Sequence, residues 1–284
     1  MSSPSVHTIL DAILADVQEE VAVAKRRRSE ADLRGMIADA PPVRSFPKVL
    51  ERGSPEREFS LIAEIKATSP SVGRMLAKNV LEAPDAYEES PVVRALSILT
   101  NERHFGGSIE NLGKIREGVS KPVLRKDFII GEYQIREARA FGADAILLMA
   151  SVLDAPRLKG FHELVLELGM EALFEVHDEM EIEALPKTAR IVGINSRKFK
   201  TTKGFEGFGA TGFSGKDFST NLEAFHLVDR LPGRTLRVAE SGLNAGNIVT
   251  VRGQFHAALV GTSLLRDPRG IRIGLADFEK AILS

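Results

Sequence analysis

The run Leu61-Ile62-Ala63-Glu64-Ile65-Lys66 is apolar until it presents a carboxylate and an ammonium two residues apart. In an extended strand alternate residues share a face, so Glu64 and Lys66 point the same way. Opposite charges on the inward face of a core strand are costly unless something uses them. The pattern recurs. Val123-Leu124 leads into Arg125-Lys126-Asp127, Leu173-Phe174 into Glu175, Val192-Gly193-Ile194 into Asn195, and Val238-Ala239 into Glu240-Ser241-Gly242. Two lysines and two or three carboxylates in one water-poor mouth can donate protons, remove them and stabilise developing charge. Lys66 and Lys126 are the expected chemical centre, each placed to act as a general acid or an anion clamp. The plainer alternative is a structural ion pair with Glu64 or Asp127. Repetition of the pattern on several strands weighs against it.

Other motifs narrow the chemistry. Gly207-Phe208-Gly209-Ala210-Thr211-Gly212 spells the dinucleotide fingerprint, but no apolar strand precedes it and no helix follows. Gly215-Lys216 lacks the spaced glycine and the Ser/Thr of a P-loop. A phosphate site is better placed at Glu240-Ser241-Gly242-Leu243 and at Val260-Gly261-Thr262-Ser263, where glycine amides and a following helix could hold an anion. None of the six histidines forms a pair at i, i+4, and no HExxH occurs, so no metal site is expected. His177 could face the mouth beside Glu175, although a structural or solvent-facing role is favoured. The serines of Ser69-Pro70-Ser71 sit outside any Gly-x-Ser-x-Gly elbow.

Positioning such residues takes a scaffold. Strands are expected near 60–66, 94–99, 122–126, 145–149, 171–176, 191–195, 236–240 and 257–261. Helical patterns lie near 80–89, 107–117, 132–141, 155–168, 179–185, 221–231, 245–252 and 270–283. Eight strand–helix pairs predict a parallel sheet closed as a (β/α)8 TIM barrel, whose active site lies at the C-terminal ends of its strands. Ahead of the barrel, about Val6 to Arg28, Ile9, Ile13, Val17 and Val21 recur every four residues as an amphipathic helix. Lys25-Arg26-Arg27-Arg28 reads as solvated cations favoured by the dipole at its C-terminus. The expected organisation is one barrel domain over 1–284, of which 1–58 is an N-terminal helical extension. The Gly- and Phe-rich segment 201–219 has neither period and is expected to be a lid.

Composition excludes several classes. A formal net charge of −1 argues against a broad nucleic-acid surface. With zero cysteines there are no disulfides, thiolate nucleophiles or Cys-type zinc sites. The acidic residues Asp11, Asp16, Glu19 and Glu20 break up any signal-peptide core, and no apolar stretch approaches the ~20 residues of a membrane span. A cytoplasmic protein without nucleic-acid or membrane partners is expected.

With those residues assembled, the chain resembles the indole-3-glycerol phosphate synthase family of tryptophan biosynthesis over nearly its whole length. The resemblance rests on Ile62-Ala63-Glu64-Ile65-Lys66 with Ser69-Pro70-Ser71, Phe105-Gly106-Gly107, Pro122 to Ile129, Gly142 to Leu148, Glu175-Val176-His177, Gly193 to Arg197, Glu240-Ser241-Gly242 and Val260 to Leu264. It implies a barrel that converts 1-(2-carboxyphenylamino)-1-deoxyribulose 5-phosphate into indole-3-glycerol phosphate, releasing carbon dioxide and water. It implies Lys126 as general acid and Glu175 as the group stabilising positive charge on the ring system. Glu64 and Lys66 would serve the dehydration, while Asn195 and Glu240 orient hydroxyl groups. Ser69, Arg197, Ser241, Gly242, Gly261 and Thr262 would line the phosphate and carboxylate surroundings. The implied cofactor requirement is nil, since these steps need proton transfers rather than an electron sink. The implied partner is a small phosphorylated molecule, with association with other tryptophan-pathway enzymes as a further expectation.

Three departures stand out. Val72 follows the Ser-Pro-Ser where a basic residue is common, Ala67-Thr68 replaces a more basic pair, and Ser90-Pro91-Val92-Val93-Arg94 replaces a usual Gly-Ala turn. The 201–219 connection is also longer than usual. Two competing readings are a phosphoribosylanthranilate isomerase-like sugar isomerase and a catalytically silent scaffold. The first is disfavoured by the missing cysteine and the different strand ends; the second predicts loss of Lys126 or Glu175, and both are present.

Overall fold

A computed structural model describes residues 9–51, 59–199 and 218–284. Eight parallel strands close into a barrel: β1 Ser60–Ile65, β2 Val93–Leu99, β3 Val123–Lys126, β4 Ala145–Met149, β5 Glu171–Val176, β6 Ile191–Asn195, β7 Leu236–Glu240 and β8 Ala257–Val260. β1 pairs with β8 on one side and β2 on the other, so no edge is left open. Each strand is apolar on both faces because helices cover the outside and side chains fill the inside. Ile62, Leu124, Leu147, Leu173, Val238 and Leu259 belong to the interior set, whereas Leu61, Ala63, Leu96, Ile146 and Phe174 pack in the cluster that the helices share. All eight expected strands form.

Helices α1 Ile9–Arg27, α2 Glu30–Asp39 and α3 Phe46–Leu50 precede β1. The crossovers carry α4 Ala77–Glu89, α5 Glu102–Phe105, α6 Ile109–Gly118, α7 Glu132–Ala140, α8 Ala155–Glu167 and α9 Glu179–Glu183; α10 Thr262–Leu265 and α11 Ile271–Leu283 close the chain. Gly142 and Gly169 end α7 and α8 with φ of 82° and 75°, a turn that a side chain would strain. Two expected helices differ. Leu222–Arg230 and Ile248–Thr250 are 3₁₀ rather than α. At the second, Asn244 Oδ1 accepts from the amides of Gly246 and Asn247, a local alternative to a regular first turn in a segment already poor in helix formers. The 90–94 segment holds a bulge: Leu61 faces Val93 but Ile62 faces Ala95, leaving Arg94 as the extra residue.

The extension grips the barrel at both ends. Ile13 and Val17 of α1 join the interior cluster with Phe128, just beyond β3, at the C-terminal mouth. α2 is launched by a capping box, Ser29 Oγ accepting from the Asp32 amide at 3.2 Å and Asp32 Oδ2 from the Ser29 amide at 2.8 Å. It runs along α7, burying Leu33 against Tyr133 and Ala140. Phe46 and Leu50 of α3 then plug the opposite end, near Arg44, whose amide donates to Asp144 Oδ1 at 2.7 Å immediately before β4. Burying Phe46 fully is worth about 1.5–3 kcal/mol. The start of the expected first helix (Val6–Thr8) and segment 201–217 lie outside the described residues.

Candidate active site

A cavity of about 290 Å³ opens at the C-terminal ends of the strands. Glu64 and Lys66 reach it from the end of β1, Lys126 from β3, Glu175 from β5, Asn195 and Arg197 from the end of β6, and Glu240 from β7. Ser69 enters from the loop after β1, Ser241 and Gly242 from the loop after β7, and Gly261 and Thr262 from the end of β8. Every site residue expected from the sequence lines this one cavity. Strand closure explains the convergence of groups far apart in the chain: Glu175 stands beside Gly193, and Asn195 beside Glu240, in the barrel register.

The charges form two pairs. Lys66 Nζ donates to Glu64 Oε1 at 2.5 Å, both buried. Lys126 Nζ lies 3.1 Å from Glu175 Oε2 and 3.7 Å from Glu240 Oε2. The plainer pairing of Lys66 with Glu64 is therefore present, while that of Lys126 with Asp127 is not. Alternation along β3 turns its neighbours away: Arg125 bonds Asp127 Oδ2 at 3.1 Å, Glu137 Oε2 at 3.0 Å and Thr100 Oγ1 at 3.0 Å.

Burial and neighbouring charge set protonation. Burial acts against the Lys126 cation, but Glu175, Glu240 and Glu64 outweigh it and raise its pKa above the ordinary lysine value. Burial would raise Glu175, yet Lys126 and then His177 hold its carboxyl at about 2. Glu240 behaves oppositely. Burial first, then the negative charge of Glu175, push it well above the usual carboxylate range. A charged acid, a charged carboxylate and a carboxyl biased toward its neutral form thus share one mouth, an arrangement suited to proton transfer.

The far side of the cavity carries a guanidinium and two hydroxyls. Arg197 Nη1 donates to Ser71 Oγ at 3.0 Å, and Ser71 Oγ lies 3.0 Å from Ser69 Oγ. Burial lowers the Arg197 pKa from its ordinary value. Ser241 and Gly242 have consecutive φ of 70° and 72°, and Ser241 is the sole non-glycine with positive φ among the described residues. Such strain persists where the surroundings require that conformation, commonly at a functional loop. The remaining wall is apolar: Phe105, Phe128, Leu147, Met149 and Leu259.

Several contributors escaped the sequence reading. Met149 and Leu147 are indistinguishable from core by period alone, and their place in the site follows from barrel closure. α1 reaches the loop after β2: Glu20 accepts from Asn101 Nδ2 at 3.0 Å and the Arg103 amide at 3.2 Å, and Asp16 Oδ2 lies 2.9 Å from His104 Nε2. That loop carries Phe105, packed against Phe128 with ring centroids 6.4 Å apart. His177 takes the structural role favoured for it, buried behind Glu175 with Nδ1 3.1 Å from Glu181 Oε2. Val72 packs on the outer core, and its carbonyl accepts from Arg266 Nη1 at 3.1 Å.

Comparison with known proteins places this site in context. The family model described as indole-3-glycerol phosphate synthase matches residues 10–205. An indole-3-glycerol phosphate synthase of a Nocardioides species is 38% identical, covering 92% of this chain and 94% of that protein. One from Neisseria gonorrhoeae is 39% identical over 94% of this chain and 98% of its own. Among solved structures, 3-hexulose-6-phosphate synthase from Salmonella typhimurium aligns with TM-score 0.55 at 11% identity, covering 79% of this chain and 99% of that one. N-(5'-phosphoribosyl)anthranilate isomerase from Pyrococcus furiosus aligns with TM-score 0.52 at 14% identity, over 79% and 98%. These two likenesses concern the barrel fold alone.

Proposed function

The chain belongs to the indole-3-glycerol phosphate synthase family, and from that membership we infer that its cavity closes the indole ring of 1-(2-carboxyphenylamino)-1-deoxyribulose 5-phosphate. The observation that carries the reading is the Lys126–Glu175–Glu240 cluster facing the Glu64–Lys66 pair in one mouth. In the closure step the ring carbon bearing the carboxylate attacks the sugar carbonyl carbon. Lys126, held cationic chiefly by Glu175, gives its proton to the carbonyl oxygen as the C–C bond forms. Positive charge then grows on the aromatic amine, where Glu175 stays ionised and stabilises it. The ring carboxylate then leaves as carbon dioxide, and the electron pair of the broken bond restores the benzene ring and neutralises the nitrogen. Dehydration follows: the new hydroxyl departs as water on taking a proton from Lys66, while a carboxylate (Glu64 or Glu175) removes the proton from the adjacent amine-bearing carbon, forming the double bond that completes the indole.

Asn195 and Glu240 hold the sugar hydroxyls, and the apolar wall receives the aromatic ring. The phosphate is assigned to the loops of Ser241–Gly242 and Gly261–Thr262 with Arg197, and Ser69 serves the carboxylate side. A net charge of −1 supports a small-molecule partner rather than nucleic acid, and no described helix is long and apolar enough to cross a membrane. Association with other tryptophan-pathway enzymes belongs to the same reading. The test is turnover of this substrate, followed by the rise of indole fluorescence with no metal or nucleotide added. Signal from the native chain supports the reading, and none from folded protein at millimolar substrate overturns it.

A further inference from the structure

Two glycines that lack any assigned role toward the carboxyls stand directly against them. A Cβ placed on Gly193 would lie 1.9 Å from Glu240 Oε1, 2.9 Å from its Cδ and 3.4 Å from its Cγ. A Cβ on Gly261 would lie 2.7 Å from Glu64 Oε1. Neither glycine has a backbone angle that demands glycine, since the positive-φ glycines are others. Their common property is the space they leave. Gly193 lies on β6, next to the strand that carries Glu240, with Glu175 level with it on the other side. Glu240 is 1% exposed, and its carboxyl, biased toward the neutral form, can share a proton with Glu175. The hollow at Gly193 lies behind that carboxyl and the Lys126 ammonium 3.7 Å in front, so its position depends on the room that Gly193 leaves.

We propose that Gly193 is a positioning residue, the seat that brings the Glu240 carboxyl in beside Lys126 and Glu175. Any side chain there drives the carboxyl forward by more than 1 Å, out of the hollow and against the lysine. The clash falls on the far end of a movable side chain, so the barrel can absorb it and the charge cluster cannot. Gly261 stands close to Glu64 as well, but there a Cβ would also meet Glu64 Cβ at 2.9 Å, so the contact is not with the carboxyl alone. The inference rests on the reading of this cavity as the ring-closing site for its catalytic consequence, though not for the steric one.

The test is Gly193→Ala, alone and combined with Glu240→Asp or Glu240→Ala. A displacement of about 1 Å at a reacting centre costs on the order of 100-fold in rate. Gly193→Ala is expected to lower kcat by about that factor and leave KM within a few-fold, because the phosphate and aromatic ends are untouched. Adding Glu240→Asp, which withdraws the carboxyl by one methylene, should cost nothing further. Native kcat in Gly193→Ala, or losses that multiply in the double variant, would overturn the proposal. If Gly193→Ala fails to fold, Glu240→Ala must restore folding, since it removes the atoms that clash; failure of that double variant also overturns it. Should native protein not turn over the substrate, the functional reading falls. Urea midpoints of Gly193→Ala with and without Glu240→Ala then still decide the seat, which requires a larger cost when the carboxyl is present.

Discussion

Replacing Lys126 by methionine removes one charge from a cluster whose balance depends on it. Glu175 stands at about 2 against an ordinary 4.5, a depression that corresponds to about 3 kcal/mol in favour of its ionised form. A 3.1 Å contact has the capacity for this: at an effective dielectric of about 20 the attraction is roughly 5 kcal/mol before desolvation is charged against it. Breaking such a pair from one side costs on the order of 3–5 kcal/mol. Lys126→Met is therefore expected to lose about 3 kcal/mol of stability at pH 7 while retaining the barrel, whose strands it leaves intact. Because Glu175 is depressed in the folded state, its contribution is complete above about pH 4.5 and is lost as pH falls toward 2. The gap between native and variant should thus be widest above pH 5 and close progressively toward pH 3. Turnover should fall by about 10²–10⁴-fold, as for loss of a positioned general acid. Urea denaturation from pH 3 to 8 and the indole fluorescence assay read the two effects separately. Turnover within tenfold of native would refute the general-acid role, and a stability gap independent of pH would refute the linkage to Glu175.

Three further outcomes are expected. Arg125→Met strands Asp127 and Glu137 in the outer network and should cost about 3–5 kcal/mol in urea with kcat within tenfold of native; a larger kcat loss would place Arg125 in the chemistry. Glu240→Gln should be no less stable than native at pH 4 and more stable at pH 8, because a raised carboxyl contributes below its unfolded pKa and loses that contribution as pH rises through its folded one. Equal stability of the two proteins at pH 8 would contradict the assignment. Glu20→Ala removes two hydrogen bonds from the loop after β2, at about 1–3 kcal/mol locally. Faster amide exchange over residues 101–107 with a lower urea midpoint is expected, and unaltered exchange would show that α1 does not hold this loop.

Strand ends carried most of the site in plain view. Glu64, Lys66, Lys126, Glu175, Asn195 and Glu240 each break an apolar run, and a buried charge needs a reason that loops do not need. The sequence alone did not separate Lys126 from Arg125, which is equally charged and faces the outer network with Glu137. Leu147 and Met149 carry no signal at all, because an apolar residue in the pocket wall and one in the core obey the same period. The α-versus-3₁₀ difference at 222–230 and 248–250 was likewise hidden: an amphipathic pattern reports a face, not a pitch. Gly193 was legible as part of a motif, but its purpose is a volume, and volume belongs to whatever stands opposite.

The two-ended grip of α1 and α3 has a bearing on the order of synthesis. Ile13, Val17 and Phe46 leave the ribosome ahead of the barrel strands, yet they share one cluster with Val238 and Leu259, which are translated much later. β1 is in the same position, since one of its two neighbours is β8. Until the final strand arrives, the growing chain therefore displays an unclosed sheet, and the apolar faces of α1 and α3 are only partly covered. Contacts of such long sequence separation slow folding and lengthen exposure to aggregation. Pulse-labelled amide exchange during refolding should show β1 and α3 protected late, together, as one closing event.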